Sequence, residues 1–179
     1  NIIGDRSYSS KMNVISKISN ICISGFHKNR IATVIKHIPG HGLSKVDSHK
    51  KLPIINKNLK YLLKNDFKLF KNKSSIFSMT GHLLFSKIDK ENTTTHSKKI
   101  IHIIRKNIGF KNIIITDDIS MKALKHSIEE NTKKSFKAGC NLTLHCNGNL
   151  KEMIKVAKNS PKINKFILKK TSQFFDIIS

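Results

Sequence analysis

The chain has 179 residues, 38% of them hydrophobic, enough to bury one substantial core and too apolar to read as disordered. Lys and Arg number 34 against 11 Asp and Glu, a formal charge of +23, which raises a polyanion-binding reading, nucleic acid above all. Against that reading, Arg occurs only at positions 6, 30 and 105, whereas bidentate base and phosphate contacts favour Arg, and the lysines run along the whole chain instead of forming one stripe.

Taken in chain order, residues 14–26 read as a helix ahead of the first strand. Four short runs rich in Ile, Val, Leu or Phe, at 31–36, 75–79, 111–116 and 141–146, lack polar alternation, as strands buried on both faces do. Between them, 59–70, 97–108 and 121–138 carry apolar residues at helical spacing. Gly109 and Gly139 follow the last two as helix-ending glycines. Repeating strand–helix units imply a parallel sheet with right-handed crossovers. Spacing alone leaves two α/β architectures open, a small open sheet or half of a closed barrel.

The composition bears on location as well. No window of 18 apolar residues predicts a membrane span, and the start at Asn1 has neither a signal-peptide pattern nor an initiator Met. The chain is therefore read as beginning at a cut end. Three cysteines, Cys22, Cys140 and Cys146, with no C-x-x-C, predict free thiols and fit a reducing cytoplasm. Cys140 and Cys146, flanking the last strand, read as small buried residues.

The most unusual segment comes directly after the first strand: Lys36-His37-Ile38-Pro39-Gly40-His41-Gly42, then Asp47-Ser48-His49. Pro39 restricts Ile38 to extended conformations. The stretch from Gly40 to Ser48, with two glycines and few apolar anchors, is expected to move over a substrate. The second strand is followed by Gly81-His82, and the third runs into Asp117-Asp118-Ile119-Ser120-Met121. Parallel sheets place their sites beyond the C-terminal ends of strands, so His37, His49, His82 and Asp117 are expected on one face. Each has a plainer reading: a histidine bracing the glycine-rich loop, Asp118 as N-cap of a helix starting near Met121, Asp47 as a turn residue. Two functional readings remain, a His/Asp metal site or a proton-transfer dyad, Asp47 with His49, facing a carboxylate nucleophile.

In these residues the sequence resembles the glycoside hydrolase family 3 β-N-acetylhexosaminidases of Gram-negative bacteria, β-N-acetylglucosaminidases of peptidoglycan recycling. The matching pieces are Ile3-Gly4-Asp5-Arg6-Ser7, the Lys36–Gly42 motif, Asp47-Ser48-His49, Thr116-Asp117-Asp118-Ile119-Ser120-Met121 and Ala138-Gly139-Cys140. The resemblance implies a (β/α)8 TIM barrel, here a partial barrel of about four βα units. Residues 1–179 would be the C-terminal portion of one catalytic barrel whose N-terminal half is absent. It further implies Asp117 as nucleophile, His49 as general acid/base, Asp47 as the residue orienting His49, and Arg6, Lys36, His37 and His82 as sugar-binding residues. The implied reaction is retaining cleavage of β-linked N-acetylglucosamine from 1,6-anhydro-muropeptides, without cofactor or metal. The implied partner is that muropeptide, with no membrane insertion and no nucleic acid, and the protein is expected to be a monomer. Asn141 stands where relatives usually have Asp, and Gly81 where Ala is common. The alternative is a non-catalytic polyanion-binding or degenerate remnant protein. Four strands taken alone would leave two sheet edges open, so the 179 residues by themselves are expected to fall short of ordinary turnover.

Overall fold

The computed structural model describes residues 7–46 and 51–179. The elements run α1 (Met12–Lys28), β1 (Val34–Ile38), β2 (Ile54–Ile55), α2 (Leu59–Lys64), β3 (Phe77–Thr80), β4 (Leu84–Phe85), α3 (Lys98–Ile103), β5 (Ile113–Asp118), α4 (Ile128–Ala138), β6 (Leu142–Leu144), α5 (Leu150–Asn159) and α6 (Lys165–Ile178). Four of the strands form one parallel sheet in the order β1-β3-β5-β6. Strand order follows chain order, with helical crossovers between neighbours, as repeating βα units require. The four expected strands are all present, most beginning two or three residues later than the apolar runs do. β2 and β4 form a separate two-stranded parallel pair, which the apolar runs do not predict.

The core lies between the sheet and its crossover helices. Ile35 of β1 aligns with Ser78 of β3, and Ser78 with Ile114 of β5. Ile114 packs into a cluster with Ile100, Ile101, Ile104, Leu62, Phe67 and Phe85, all at most 4% exposed. Phe67 and Phe85 meet edge to face at 5.2 Å, fixing the 3₁₀ turn Asp66–Phe70 that continues α2. α3 starts on Ser97, whose hydroxyl accepts the Ile100 N–H, and runs on as a π turn to Ile108. Gly109, at φ 84°, ends it as expected.

One helix differs from expectation. The segment 121–138 is helical only from Ile128, where the Ser127 hydroxyl accepts the Glu130 N–H and two glutamates occupy the first turn. Asp118 therefore caps no helix; its carboxylate accepts from the Ser120 N–H and hydroxyl and from the Cys146 N–H. This stitches the end of β5 to the end of β6 and keeps 119–127 in turns. Cys146 is exposed rather than buried, while Cys140 is buried as expected, and burial pushes its thiol up to about 12. All three cysteines are free. Among the described residues no helix is long and apolar enough to cross a membrane.

Candidate active site

The C-terminal ends of β1, β3 and β5 converge on one face. At the end of β1 the register with β3 slips between Lys36 and Ile38, and the Lys36–His37 and Ile38–Pro39 peptide bonds are both cis. β3 ends at Thr80 and is followed by Gly81. A Cβ on Gly81 would lie 3.1 Å from His37 Cβ and 3.4 Å from His41 Cδ2. The missing side chain thus gives both histidines room to pass over the middle strand toward β5. His37 Nε2 reaches 3.4 Å from Asp117 Oδ2, and the His37 and His41 rings sit 5.4 Å apart, tilted.

Asp117 is held by its own backbone neighbourhood, since Oδ1 accepts the Asp118 N–H at 2.9 Å. Oδ2 is the oxygen turned to His37, and the side chain is 16% exposed. Burial pushes the His37 imidazole down to about 4; the Asp117 carboxylate pulls it back only in part, while His41, Lys36 and His82 push with burial. His37 is therefore neutral near pH 7. Its contact with Asp117 is therefore not a full ion pair.

His82 is fully buried. Its Nδ1 is 2.8 Å from Thr95 Oγ1 and its Nε2 2.9 Å from the Asp118 carbonyl; Thr95 also meets Thr80 at 2.9 Å. These bonds tie the end of β3 to the end of β5, so His82 braces the wall beneath Asp117. Lys36 is exposed and, with His37, His41, Asp66, Lys73 and Asp117, lines a cavity of about 740 Å³.

Of the residues expected at the site, the structure brings together Lys36, His37, His82 and Asp117. Arg6, Asp47 and His49 lie outside the described residues. Among the described residues no cluster of three or more His, Cys, Asp or Glu is arranged to hold a metal. Two participants are not evident from the sequence. Asp118 reads there only as a helix cap, and Asp66 lies on a turn far from any strand end. The available signal for Asp66 is scarcity, because 11 acidic residues in the whole chain make one beside the core residue Phe67 worth a question.

Residues 1–171 match the family profile described as the glycosyl hydrolase family 3 N-terminal domain. The beta-hexosaminidase of Haemophilus influenzae is 32% identical over 152 residues, covering 81% of this chain and 43% of that protein. The one from Nitrosomonas eutropha is 31% identical over 153 residues, covering 82% and 43%. The chain thus spans less than half the length of these curated relatives. Among solved structures, NagZ from Neisseria gonorrhoeae in complex with N-trifluoroacetyl-D-glucosamine superposes with a TM-score of 0.84 at 25% identity, covering 97% of this chain and 51% of that one. The four-stranded parallel sheet with its crossover helices is accordingly part of a TIM-barrel-like α/β fold, as the sequence resemblance implied.

Proposed function

Because the chain belongs to glycosyl hydrolase family 3, we propose that it carries the nucleophile side of a retaining β-N-acetylhexosaminidase acting on peptidoglycan fragments. The observation that carries this reading is Asp117, a carboxyl side chain at a strand end with one oxygen fixed by a backbone N–H and the other facing a cavity beside a neutral histidine. In the proposed reaction Asp117 Oδ2 attacks the anomeric carbon of a terminal β-linked N-acetylglucosamine. The bond to the leaving oxygen breaks as His49 protonates it, giving a covalent glycosyl-enzyme. His49 then takes a proton from water, whose oxygen attacks the same carbon and releases Asp117. Two inversions leave the configuration retained. Asp47 orients His49 and stabilises its charged form, as the acid of a triad does.

Lys36, His37 and Arg6 would hold the sugar. A neutral His37 suits that role, since it can exchange a hydrogen bond with a hydroxyl without neutralising the nucleophile. His82 contributes through the wall it braces. The proposed substrate is a muropeptide with N-acetylglucosamine linked to 1,6-anhydro-N-acetylmuramic acid; N-acetylglucosamine recognition is the part closest to the ligand named for the Neisseria structure.

The test is hydrolysis of a chromogenic β-N-acetylglucosaminide by the natural polypeptide containing this sequence. Asp117→Ala is expected to lower kcat by about three orders of magnitude or more. A fluorinated mechanism-based glycoside should label the peptide bearing Asp117. Unchanged turnover in Asp117→Ala, or a label elsewhere, would refute the assignment.

A further inference from the structure

Asp66 opens the 3₁₀ turn Asp66–Phe70, and its carboxylate does not cap that turn. It reaches instead to the loop after β1. The Gly42 backbone N–H lies close enough to favour its charged form. A Cβ on Gly40 would collide with the carboxylate, and one on Gly42 would come within 3.0 Å of Oδ1. Both glycines of the Pro39-Gly40-His41-Gly42 stretch are therefore what allows the loop to lie directly on Asp66. Beneath the carboxylate the support is stiff, because the next residue, Phe67, is fully buried against Phe85.

The placement is costly. Oδ2 is closed to solvent and has no hydrogen-bond partner, and an ionised oxygen in that state forfeits solvation without return. Burial pushes the carboxyl up to about 6, with the Gly42 N–H offsetting only part of that. A buried acid held at a cost beside a charged site is more often there for function than for stability. The ionisable groups facing the same cavity are Lys36, His37, His41, Lys73 and Asp117, along with Tyr8 and Cys22.

We propose that Asp66 is a positioning residue, clamping the Pro39–Gly42 loop so that His41 packs on His37 and His37 is held against Asp117. The clamp runs from the Asp66 carboxylate through Gly42 to His41, then by the 5.4 Å ring contact to His37, then by 3.4 Å to Asp117. It uses the acceptor oxygen of Asp66, not its charge. This inference rests on the glycosidase reading for its kinetic consequence and on the structure alone for its geometric one.

Two variants separate the roles. Asp66→Ala removes the acceptor and is expected to lower kcat about ten- to a hundredfold, with KM changed less than about threefold, as small displacements of reacting groups do. Asp66→Asn keeps an acceptor for the Gly42 N–H and is expected to restore kcat to within about threefold of the parent. It should also melt about 2–5 °C higher near pH 7, because a buried charge is gone. In the proton NMR spectrum, the His37 and His41 ring C2–H signals should shift in Asp66→Ala and stay near parental positions in Asp66→Asn and in the remote surface variant Glu129→Gln. Equal loss of kcat in Ala and Asn variants would overturn the clamp in favour of a role for the charge. Unmoved histidine signals in Asp66→Ala would overturn it outright. A parent protein without hexosaminidase activity would sink the proposed function, and the histidine signals would still decide the clamp.

Discussion

Asn141 offers a direct test of how the crossover helices are tied to the sheet. Its Oδ1 accepts from Arg105 Nη2 at 2.7 Å and from the Ile114 N–H at 2.9 Å. The other guanidinium nitrogen donates to the Phe110 and Asn112 carbonyls at 3.0 and 2.5 Å. Arg105 thus links the end of the α3 segment to the start of β5, with only neutral acceptors, and burial pushes its guanidinium below its usual value. Asn141→Asp would supply the missing charge at the same oxygen position. The Arg105 bond is already charge-assisted and would become an ion pair, while the Ile114 N–H bond would pass from a neutral bond of about 0.5–1.5 kcal/mol to a charge-assisted one of about 1.5–3, so the two together gain about 2 kcal/mol. Desolvating a half-buried carboxylate takes part of this back, leaving a net gain of about 1–2 kcal/mol. For a chain of this size that is a rise in Tm of about 2–8 °C. The new carboxyl would have a lowered folded pKa, so the gain is present above about pH 4 and is lost as pH falls through the folded value. Thermal melts at pH 7 of the parent, Asn141→Asp, Arg105→Met and the double variant form the cycle. In the Arg105→Met background the same Asp should destabilise. A fall in Tm for Asn141→Asp alone, or an equal rise with and without Arg105, would refute the reasoning.

Acid sensitivity is expected from two histidines held neutral. His37 and His96 are each pushed down to about 4, by burial first. Between pH 6.5 and 4 the unfolded chain binds protons that these two do not, so stability falls as pH drops through that window, by on the order of 3 kcal/mol per group. Asp66, raised to about 6, works the other way: it favours the folded state at low pH and loses that contribution as pH rises from about 4 to about 6. Urea melts across pH 4–7 should therefore show net acid destabilisation, reduced in His96→Gln; a flat profile would contradict it. The charge of +23 is expected to give only loose, non-saturating association with a labelled single-stranded oligonucleotide at about 0.15 M salt. Tight binding with a steep salt slope would revive the polyanion-binding alternative.

The strands and the site residues nearest one another are legible in the sequence for a local reason. A parallel-sheet strand announces itself as a short apolar run, although β1 is half exposed and β6 only partly buried instead of covered on both faces, and residues around the C-terminal end of such a run are where a site is expected; His37, His82 and Asp117 stand out in this way. The 121–138 stretch reads as one long helix because Met121, Ala123 and Leu124 are buried in a turn at near-helical spacing, while the stronger start signal, Ser127 with Glu130, lies inside the same stretch. Propensity cannot show that the Asp118 side chain turns back to Ser120 and Cys146 and holds the backbone out of a helix.

Asp66 is hidden for a different reason, and the difference says where sequence reading stops. Its partners, Gly40 and Gly42, are over twenty residues earlier, and the contact exists only because α2 and the 3₁₀ turn after it pack Leu62 and Phe67 into the core beside the β1 end. In the sequence the two glycines read as a turn. In the fold they are also the space a carboxylate occupies, so a Gly42→Ala change should act through Asp66. Its Cβ would meet Oδ1 at 3.0 Å, a separation that can be relieved only by moving the acid off the loop or the loop off the acid. If the clamp is real, Gly42→Ala and Asp66→Ala should be strongly non-additive in kcat, the second change adding little once the first is made. Two independent losses that multiply would mean that the glycine serves its own backbone and that the acid beneath it holds nothing.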